Sequence, residues 1–145
     1  MIIRELRTED VEPLCVIESK SFSMPWSAAD FVRLIQDRDS LYLVAEEDGR
    51  VVGSCGVTNV SGDGEIDNVV VDEAYRNRGI ATALLRETLK RGQAMGVKAF
   101  TLEVRVSNAA AIHVYEKAGF VSEGIRPRFY EKPTEDAMIL WKRDD

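Results

Sequence analysis

The chain has 145 residues, the length of one ordinary domain, and a net charge of −6. It contains no apolar run near the roughly 18 residues that a membrane span needs, and residues 1–10 are too charged for a signal peptide. The negative charge argues against a general nucleic-acid binder, because phosphate contacts need a basic surface. We therefore expect one cytoplasmic domain, residues 1–145, that binds neither membrane nor nucleic acid; its oligomeric state stays open.

The first half of the chain predicts a strand, two helices and an antiparallel meander. Residues 1–7 alternate like a strand, and two segments with helical spacing follow, 8–22 and 25–37. Ser27 and Asp30 have the spacing of a capping box at the start of the second helix. The hairpin signals "DGR" and "SGDG" then join three predicted strands: residues 41–47, 50–60 and 65–72.

The second half predicts a change of pattern. A long amphipathic helix, a strand, a short helix and two closing strands follow one another: residues 79–96, 97–106, 107–120, 120–126 and 136–142. The succession of strand, long helix and strand resembles a βαβ crossover, which predicts that the two strands are parallel. We expect a mixed, mostly antiparallel seven-stranded sheet of the α/β (α+β) class, with helices on both faces.

The turn before the long helix has the features of an anion site. Gly79 allows the backbone to approach a ligand closely, Arg76 and Arg78 add positive charge, and the helix directs its free N–H groups outward. The stretch lacks the sequence of a P-loop and of a dinucleotide fingerprint. The alternative is a plain helix start with two solvated arginines, and the residues alone leave both interpretations open.

The short helix "SNAAAIHVYEKAGF", residues 107–120, has a face that is almost free of side chains. Asn108 is expected to cap its start and Gly119 to end it. Tyr115 lies one turn beyond the alanines, where it is either a core residue or a functional hydroxyl. His113 points away from Tyr115 and is expected to be a surface or structural residue. With one histidine and two distant cysteines, Cys15 and Cys55, no metal site is expected.

The segment Arg76-x-x-Gly79-x-Ala81 resembles the acyl-CoA motif of the GNAT superfamily, the acetyl-CoA-dependent N-acetyltransferases. The resemblance extends over nearly the whole chain, and it implies acetyl-CoA as co-substrate and a splayed central pair of strands. It also implies that backbone N–H groups of the motif hold the pyrophosphate, while the preceding strand pairs with the pantetheine arm. The implied cofactor residues are Val69, Val70, Val71, Arg76, Asn77, Arg78, Gly79, Ile80, Ala81, Thr82 and Asn108.

The segment "TLEVRVSNAAAIHVYEKAGF" further resembles one branch, the ribosomal-protein-alanine N-acetyltransferases. That likeness implies Glu103 as the proton acceptor and Tyr115 as the proton donor to the leaving thiolate. The strand pattern alone favours a solvated glutamate at position 103, on an alternating face with Thr101 and Arg105. The implied partner is the N-terminal peptide of a protein, expected to be the N-terminal alanine of a small-subunit ribosomal protein.

The same branch resemblance implies an apolar peptide groove with two walls. Its implied lining is Phe22, Pro25, Trp26 and Phe31 on one side and Phe129 and Tyr130 on the other. Trp26 and Phe31 are equally suited to a core. Two rival functions remain at this point: a GNAT enzyme that acts on a small amine or a lysine side chain, and a non-catalytic acyl-CoA-binding module.

Overall fold

A computed structural model of the chain describes residues 1–67 and 69–143. Within these residues four helices lie among eight strands. The strands are β1 (Ile2–Glu5), β2 (Ser40–Glu47), β3 (Arg50–Val60), β4 (Asp63–Ile66), β5 (Val70–Val71), β6 (Ala99–Arg105), β7 (Val121–Tyr130) and β8 (Glu135–Arg143). The helices are α1 (Val11–Ser21), α2 (Ala28–Gln36), α3 (Ile80–Ala94) and α4 (Ala109–Lys117). In the described part of the chain, no helix has the length and apolar character for a membrane crossing.

The strands form one sheet with the order β1-β2-β3-β4-β6-β8-β7, and β5 pairs with β3. Neighbouring strands are antiparallel except β4 and β6, which run parallel because α3 carries the chain across between them. The predicted mixed, mostly antiparallel sheet is therefore confirmed. The predicted capping box is also present: the Ser27 N–H donates to the Asp30 carboxylate at 2.8 Å and the Asp30 N–H donates to Ser27 Oγ at 3.3 Å.

The sheet has eight strands instead of the expected seven, because the predicted strand 65–72 is interrupted. Its first part, β4, pairs with β6 as far as Glu65 and Thr101. Its second part, β5, pairs only with β3 among the described residues. Asn68, which was predicted inside the strand, lies outside the described residues. Past Thr101 the two central strands thus diverge, and a gap opens in the sheet between β5 and β6.

A glycine on β3 brings β5 to its place beside the gap. Gly53 pairs with Val71, and a Cβ at position 53 would lie 2.8 Å from the carbonyl oxygen of Val70. A side chain at this position would therefore push β5 away from β3. The absence of a side chain at Gly53 allows β5 to lie close beside β3, the strand with which β4 also pairs.

Helices cover both faces of the sheet, as predicted. The adjacent residues Leu43 and Val44 on β2 show the alternation: Leu43 joins the core under α3 and α4, and Val44 joins the core under α1 and α2. Both side chains are fully buried. Because the gap between β5 and β6 interrupts the sheet itself, side chains from both layers reach it.

Candidate active site

Two adjoining cavities lie at the gap in the sheet. The first cavity, about 440 Å³, lies between β5, the start of α3 and α4. The second cavity, about 450 Å³, lies between the end of β6, the segment after α1 and the loop after β7. Both cavities are lined by Ser21, Phe22, Val69, Asn108 and Ala111. A ligand that fills both would therefore pass through the plane of the sheet.

The turn that was predicted to be an anion cradle lines the first cavity. Gly79 has a positive φ of 77°, and Asn77 likewise has a φ of 64°. No protein atom lies within 4 Å of the position that a Cβ of Gly79 would take, so its free side is open to a ligand. The N-terminal N–H groups of α3 begin here, where the helix dipole is positive.

The two arginines of the cradle have different positions. Arg76 lines the first cavity, and its Nε donates to the carbonyl oxygen of Val71 at 3.2 Å, which ties the turn to β5. Arg78 is not part of the lining, and its guanidinium lies over the ring of Tyr75 at 5.0 Å. All other predicted cofactor residues line the first cavity: Val69, Val70, Val71, Arg76, Asn77, Gly79, Ile80, Ala81, Thr82 and Asn108. The role of Arg78 at the cofactor stays a prediction.

The bare face of α4 lines the first cavity. Ala110, Ala111 and Val114 form this wall, and small side chains there leave room for a ligand between α4 and β5. The side chain of Asn108 accepts a hydrogen bond from the Ala111 N–H at 3.2 Å, which caps the helix as predicted. Since Asn108 also lines both cavities, the capping residue is within reach of a ligand.

The second cavity contains Glu103, from β6. Its neighbours Leu102 and Val104 are buried in the core under α3 and α4, so Glu103 projects from the opposite face. Its side chain is 35% exposed, and one carboxylate oxygen lies 3.9 Å from Nε of Arg126, which is 57% exposed. A pair this long and exposed to solvent binds weakly and leaves the carboxylate accessible from the cavity.

Tyr115 reaches the same cavity from the other layer of the protein. It lies on α4 in the core under α3 and α4, packed edge-on against Phe120. Burial raises the pKa of Tyr115, and a hydrogen bond with the backbone of Val69 acts in the opposite direction. A carboxylate and a phenol thus line one cavity, although Glu103 projects from the face of the sheet opposite to the one that α4 covers. His113, by contrast, is exposed on α4, as predicted.

Of the six residues predicted to line a peptide groove, two line a cavity. Phe22 and Tyr130 line the second cavity. Trp26 is half-buried and contacts Phe31, which has no exposed surface and belongs to the core under α1 and α2, in contrast to its predicted lining role. The two remaining residues, Pro25 and Phe129, are exposed outside the lining of either cavity.

Several residues of the second cavity were missed by the sequence analysis. Arg105 and Glu135 line it and form an ion pair at 3.2 Å. Arg105 shares a strand face with Glu103, so the alternation that identified Glu103 could have indicated it. Glu135 follows a turn, where no pattern predicts its direction. In the described part of the chain, no cluster of three or more His, Cys, Asp or Glu side chains is arranged to hold a metal ion.

Asp67, at the point where β4 ends, is a further acidic residue that the sequence analysis missed. Burial raises the pKa of Asp67 to about 7, and the negative charges of Glu65 and Glu18 act in the same direction. Glu18 is itself buried on α1, and burial raises its pKa, while a hydrogen bond from the Trp26 N–H at 3.1 Å partly compensates. The region where the sheet is interrupted therefore also carries several acidic side chains.

The fold and the cavities match one known family. The model of the acetyltransferase (GNAT) family matches residues 11–120. The chain therefore belongs to the GNAT family and is an acetyl-CoA-dependent N-acetyltransferase, as the motif at Arg76 implied. A first cavity with an anion cradle at the start of α3 suits the pyrophosphate of this co-substrate.

Three comparisons with known proteins show which N-acetyltransferases the chain resembles. Over 142 residues the chain is 33% identical to the ribosomal protein bS18-alanine N-acetyltransferase of Escherichia coli, covering 95% of this chain and 94% of that one. The crystal structure of the ribosomal-protein-S18-alanine N-acetyltransferase from Escherichia coli superposes with a TM-score of 0.89 at 31% identity, covering 98% and 92% of the two chains. Ard1 from Thermoplasma volcanium has a TM-score of 0.90 at 28% identity, with coverage of 98% and 96%.

Replacing Asp67 should change how stability depends on pH. The folded pKa of about 7 lies above the ordinary 3.8, so the folded state retains a proton that the unfolded chain has already lost. The stability that this retained proton gives the folded state is fully present below about pH 4 and is lost as the pH rises through 7. Asp67→Asn should therefore be more stable than the wild type at pH 8 by about 1–3 kcal/mol, since partial exposure screens the full shift.

Urea unfolding at several pH values measures this difference directly. The advantage of Asp67→Asn should shrink towards pH 4, where the folded wild-type carboxyl keeps its proton and the unfolded chain begins to bind one too. Asp63→Asn, at the exposed start of β4, is the matched control and should show no such trend. Equal stability of wild type and Asp67→Asn at both ends of the pH range would contradict the assignment.

Proposed function

We propose that this enzyme transfers acetyl from acetyl-CoA to the α-amino group of a protein N-terminus, by direct attack with Glu103 as base and Tyr115 as acid. The observation that carries the proposal is that both side chains line the second cavity, which shares a wall with the anion cradle. The substrate proposed is the N-terminal alanine of a small-subunit ribosomal protein in the cytoplasm, in keeping with the name of the Escherichia coli relative.

The base is needed because an ammonium has no lone pair. An α-amino group has a pKa of about 7.7–8.0, whereas that of a lysine side chain is about 10.4. Near neutral pH roughly a tenth of α-amines are already neutral, so a carboxylate that accepts a proton directly or through water is sufficient. Glu103 suits this role because it lines the second cavity and remains partly exposed to solvent.

The acid serves the departing sulfur. As the amine nitrogen bonds to the acetyl carbon, the bond from that carbon to sulfur breaks and the thiolate needs a proton. A tyrosine hydroxyl with its ordinary pKa of about 10 keeps its proton in the physiological range, and burial raises the pKa of Tyr115 further, so this hydroxyl acts as a donor. We assign the stabilisation of the transient oxyanion to a backbone N–H within residues 69–71, beside the gap.

The acceptor proposed is a peptide with basic residues after its first position. The net charge of −6 attracts such a chain, most strongly at low salt. The aromatic rings of Phe22 and Tyr130 would contact its first side chains, and Glu103 and Glu135 supply negative charge in the same cavity. A lysine side chain is a poorer acceptor, because near neutral pH only about one in 2,500 is neutral.

The cradle is tested by adding a side chain at Gly79. Gly79→Val should abolish the rise in melting temperature caused by acetyl-CoA, because the new side chain extends into the open side of the cradle. In the wild type a 100-fold excess over the dissociation constant is worth about 2.7 kcal/mol. Gly49→Val is the matched control: Gly49 also has a positive φ, 73°, and open space around it, in the β2–β3 turn. An unchanged acetyl-CoA shift in Gly79→Val would exclude the cradle.

The acid is tested by removing one hydroxyl. Tyr115→Phe should lower kcat by about 10²–10⁴-fold and leave the acetyl-CoA affinity almost unchanged. Tyr42→Phe is the matched control, since Tyr42 is buried in the other core and its hydroxyl contacts Ser54 at 3.4 Å. Steady-state kinetics of both variants give the comparison, and normal turnover in Tyr115→Phe would make Tyr115 a core residue only.

The base and the acceptor are tested together. Glu103→Gln should slow the acetylation of an alanine-initiated peptide most at low pH, and raising the pH should restore part of the loss as more amine becomes neutral. Glu123→Gln, which removes another partly exposed carboxylate paired with an arginine, should not change the pH profile. A loss that is independent of pH would argue against Glu103 as base.

Mass spectrometry of the products locates the acetyl group. The same peptide with a blocked N-terminus and free lysines should be a poor acceptor. Acetylation mainly on lysine side chains, or only on small amines, would refute the N-terminal assignment and leave the family and the co-substrate intact.

A further inference from the structure

The walls of the second cavity are formed by two loops that are far apart in the sequence. One wall is the segment between α1 and α2, which contributes Phe22, Ser23 and Met24. The other is the loop between β7 and β8, which contributes Lys132 and Pro133. The two walls touch at one hydrogen bond, in which Ser23 Oγ donates to the Glu131 carbonyl at 3.3 Å. A contact this long is a weak connection between two irregular segments.

Arg105, the last residue of β6, contacts both walls. Its Nη2 donates to the Glu131 carbonyl at 2.8 Å and to Ser23 Oγ at 3.2 Å. Its Nη1 donates to the Pro133 carbonyl at 3.0 Å and to the Glu135 carboxylate at 3.2 Å. One guanidinium thus joins both loops to the end of a central strand, and its side chain is only 24% exposed.

The same guanidinium also positions an aromatic residue of the lining. It lies over the ring of Tyr130, 4.6 Å from the ring centre, on the face that it does not use for hydrogen bonds. Tyr130 is close enough to Glu103 for the carboxylate charge to raise the tyrosine pKa, after the larger effect of burial. The position of Arg105 therefore determines where this ring lies relative to the proposed base.

A second connection leads from Arg105 to α4. The Glu135 carboxylate that accepts from Arg105 also accepts from the Ser107 N–H at 2.8 Å. Ser107 precedes Asn108, which caps α4 and lines both cavities. The loop after β7 is thereby held to the wall that the two cavities share.

We propose that Arg105 is a positioning residue for the acceptor: it assembles the two walls of the second cavity and so orients the acceptor amine towards Glu103. The inference rests on the proposed function, because it takes the second cavity as the acceptor site. The role requires the planar fork of a guanidinium, which serves four acceptors and one ring at once. A lysine ammonium has the same charge but cannot make this set of contacts.

The test compares Arg105→Lys with Arg143→Lys. Arg143 makes the same kinds of contact, a fork to Glu123 at 2.8 and 3.2 Å and a ring contact with Trp141 at 4.1 Å, but lines neither cavity. Arg105→Lys should raise the KM for an alanine-initiated peptide and lower kcat/KM about 10- to 100-fold, with the KM for acetyl-CoA within about twofold. Arg143→Lys should change neither constant.

Two further measurements separate positioning from charge and from general stability. Hydrogen exchange of backbone amides in residues 22–27 and 129–135 should be faster in Arg105→Lys and unchanged in Arg143→Lys, in protein without any substrate. Ser23→Ala should lower kcat/KM for the peptide less than Arg105→Lys does. In the double variant the loss, expressed as a free energy, should be less than the sum of the two single losses, since both changes break the same connection.

The results of these measurements distinguish a positioning role of Arg105 from a role of its charge and from a role in the fold. Full peptide activity in Arg105→Lys would mean that charge alone suffices and would overturn the proposal. An equal loss of acetyl-CoA affinity, or unchanged exchange in both loops, would make Arg105 an ordinary fold residue and would overturn it too. If the wild type acetylates only lysines or small amines, the proposed function fails separately, and Arg105→Lys is then compared using the acceptor that the wild type accepts.

Discussion

The loss of pairing between the two central strands is the constraint on which the site depends. β4 pairs with both β3 and β6, and its pairing with β6 extends to Glu65 and Thr101, whereas β5 pairs with β3 alone among the described residues. A sheet that continued its ladder would leave no room for a ligand in its plane and would separate the two helical layers completely. Since the ladder stops, Val69 becomes part of the lining of both cavities.

The interruption also explains how two unlike environments meet. Tyr115 comes from the core under α3 and α4, where burial favours its neutral form. Glu103 comes from the opposite face, where it keeps contact with solvent and with Arg126. The second cavity is therefore lined by a buried phenol on one side and by a solvent-accessible carboxylate on the other. In an unbroken sheet these environments would lie on opposite sides.

Most of the architecture followed from the sequence, because periodicity, caps and hairpin turns are local signals. The parallel pair around α3 and the capping box of Ser27 were predictable in this way. The break before β5 was not, because the valine-rich segment "EIDNVVVD" suits one continuous strand and pairing partners are not a local property. Phe31 shows the same limit, since an aromatic on an amphipathic helix suits a groove or a core, and the packing around it decides.

The residues of the site also differ in whether a local sequence pattern could identify them. Those on the motif turn and on α4 could be identified because a resemblance adds to their local pattern. Arg105 and Glu135 depend on how a loop returns to the sheet, which involves carbonyl groups that every residue has. Backbone acceptors leave no trace in the choice of side chains, so the sequence could place Arg105 on the strand face of Glu103 but could not indicate what it contacts.

Gly53 has a consequence for which sequence changes the chain can accept. It lies on β3 and does not line either cavity, yet even a methyl group there would meet the Val70 carbonyl and the side chain of Leu84. An alanine variant would pass as conservative by size and polarity. It would nevertheless displace β5, the strand that borders the gap. A method that ranks substitutions by their distance from the two cavities would therefore underestimate the effect of this one.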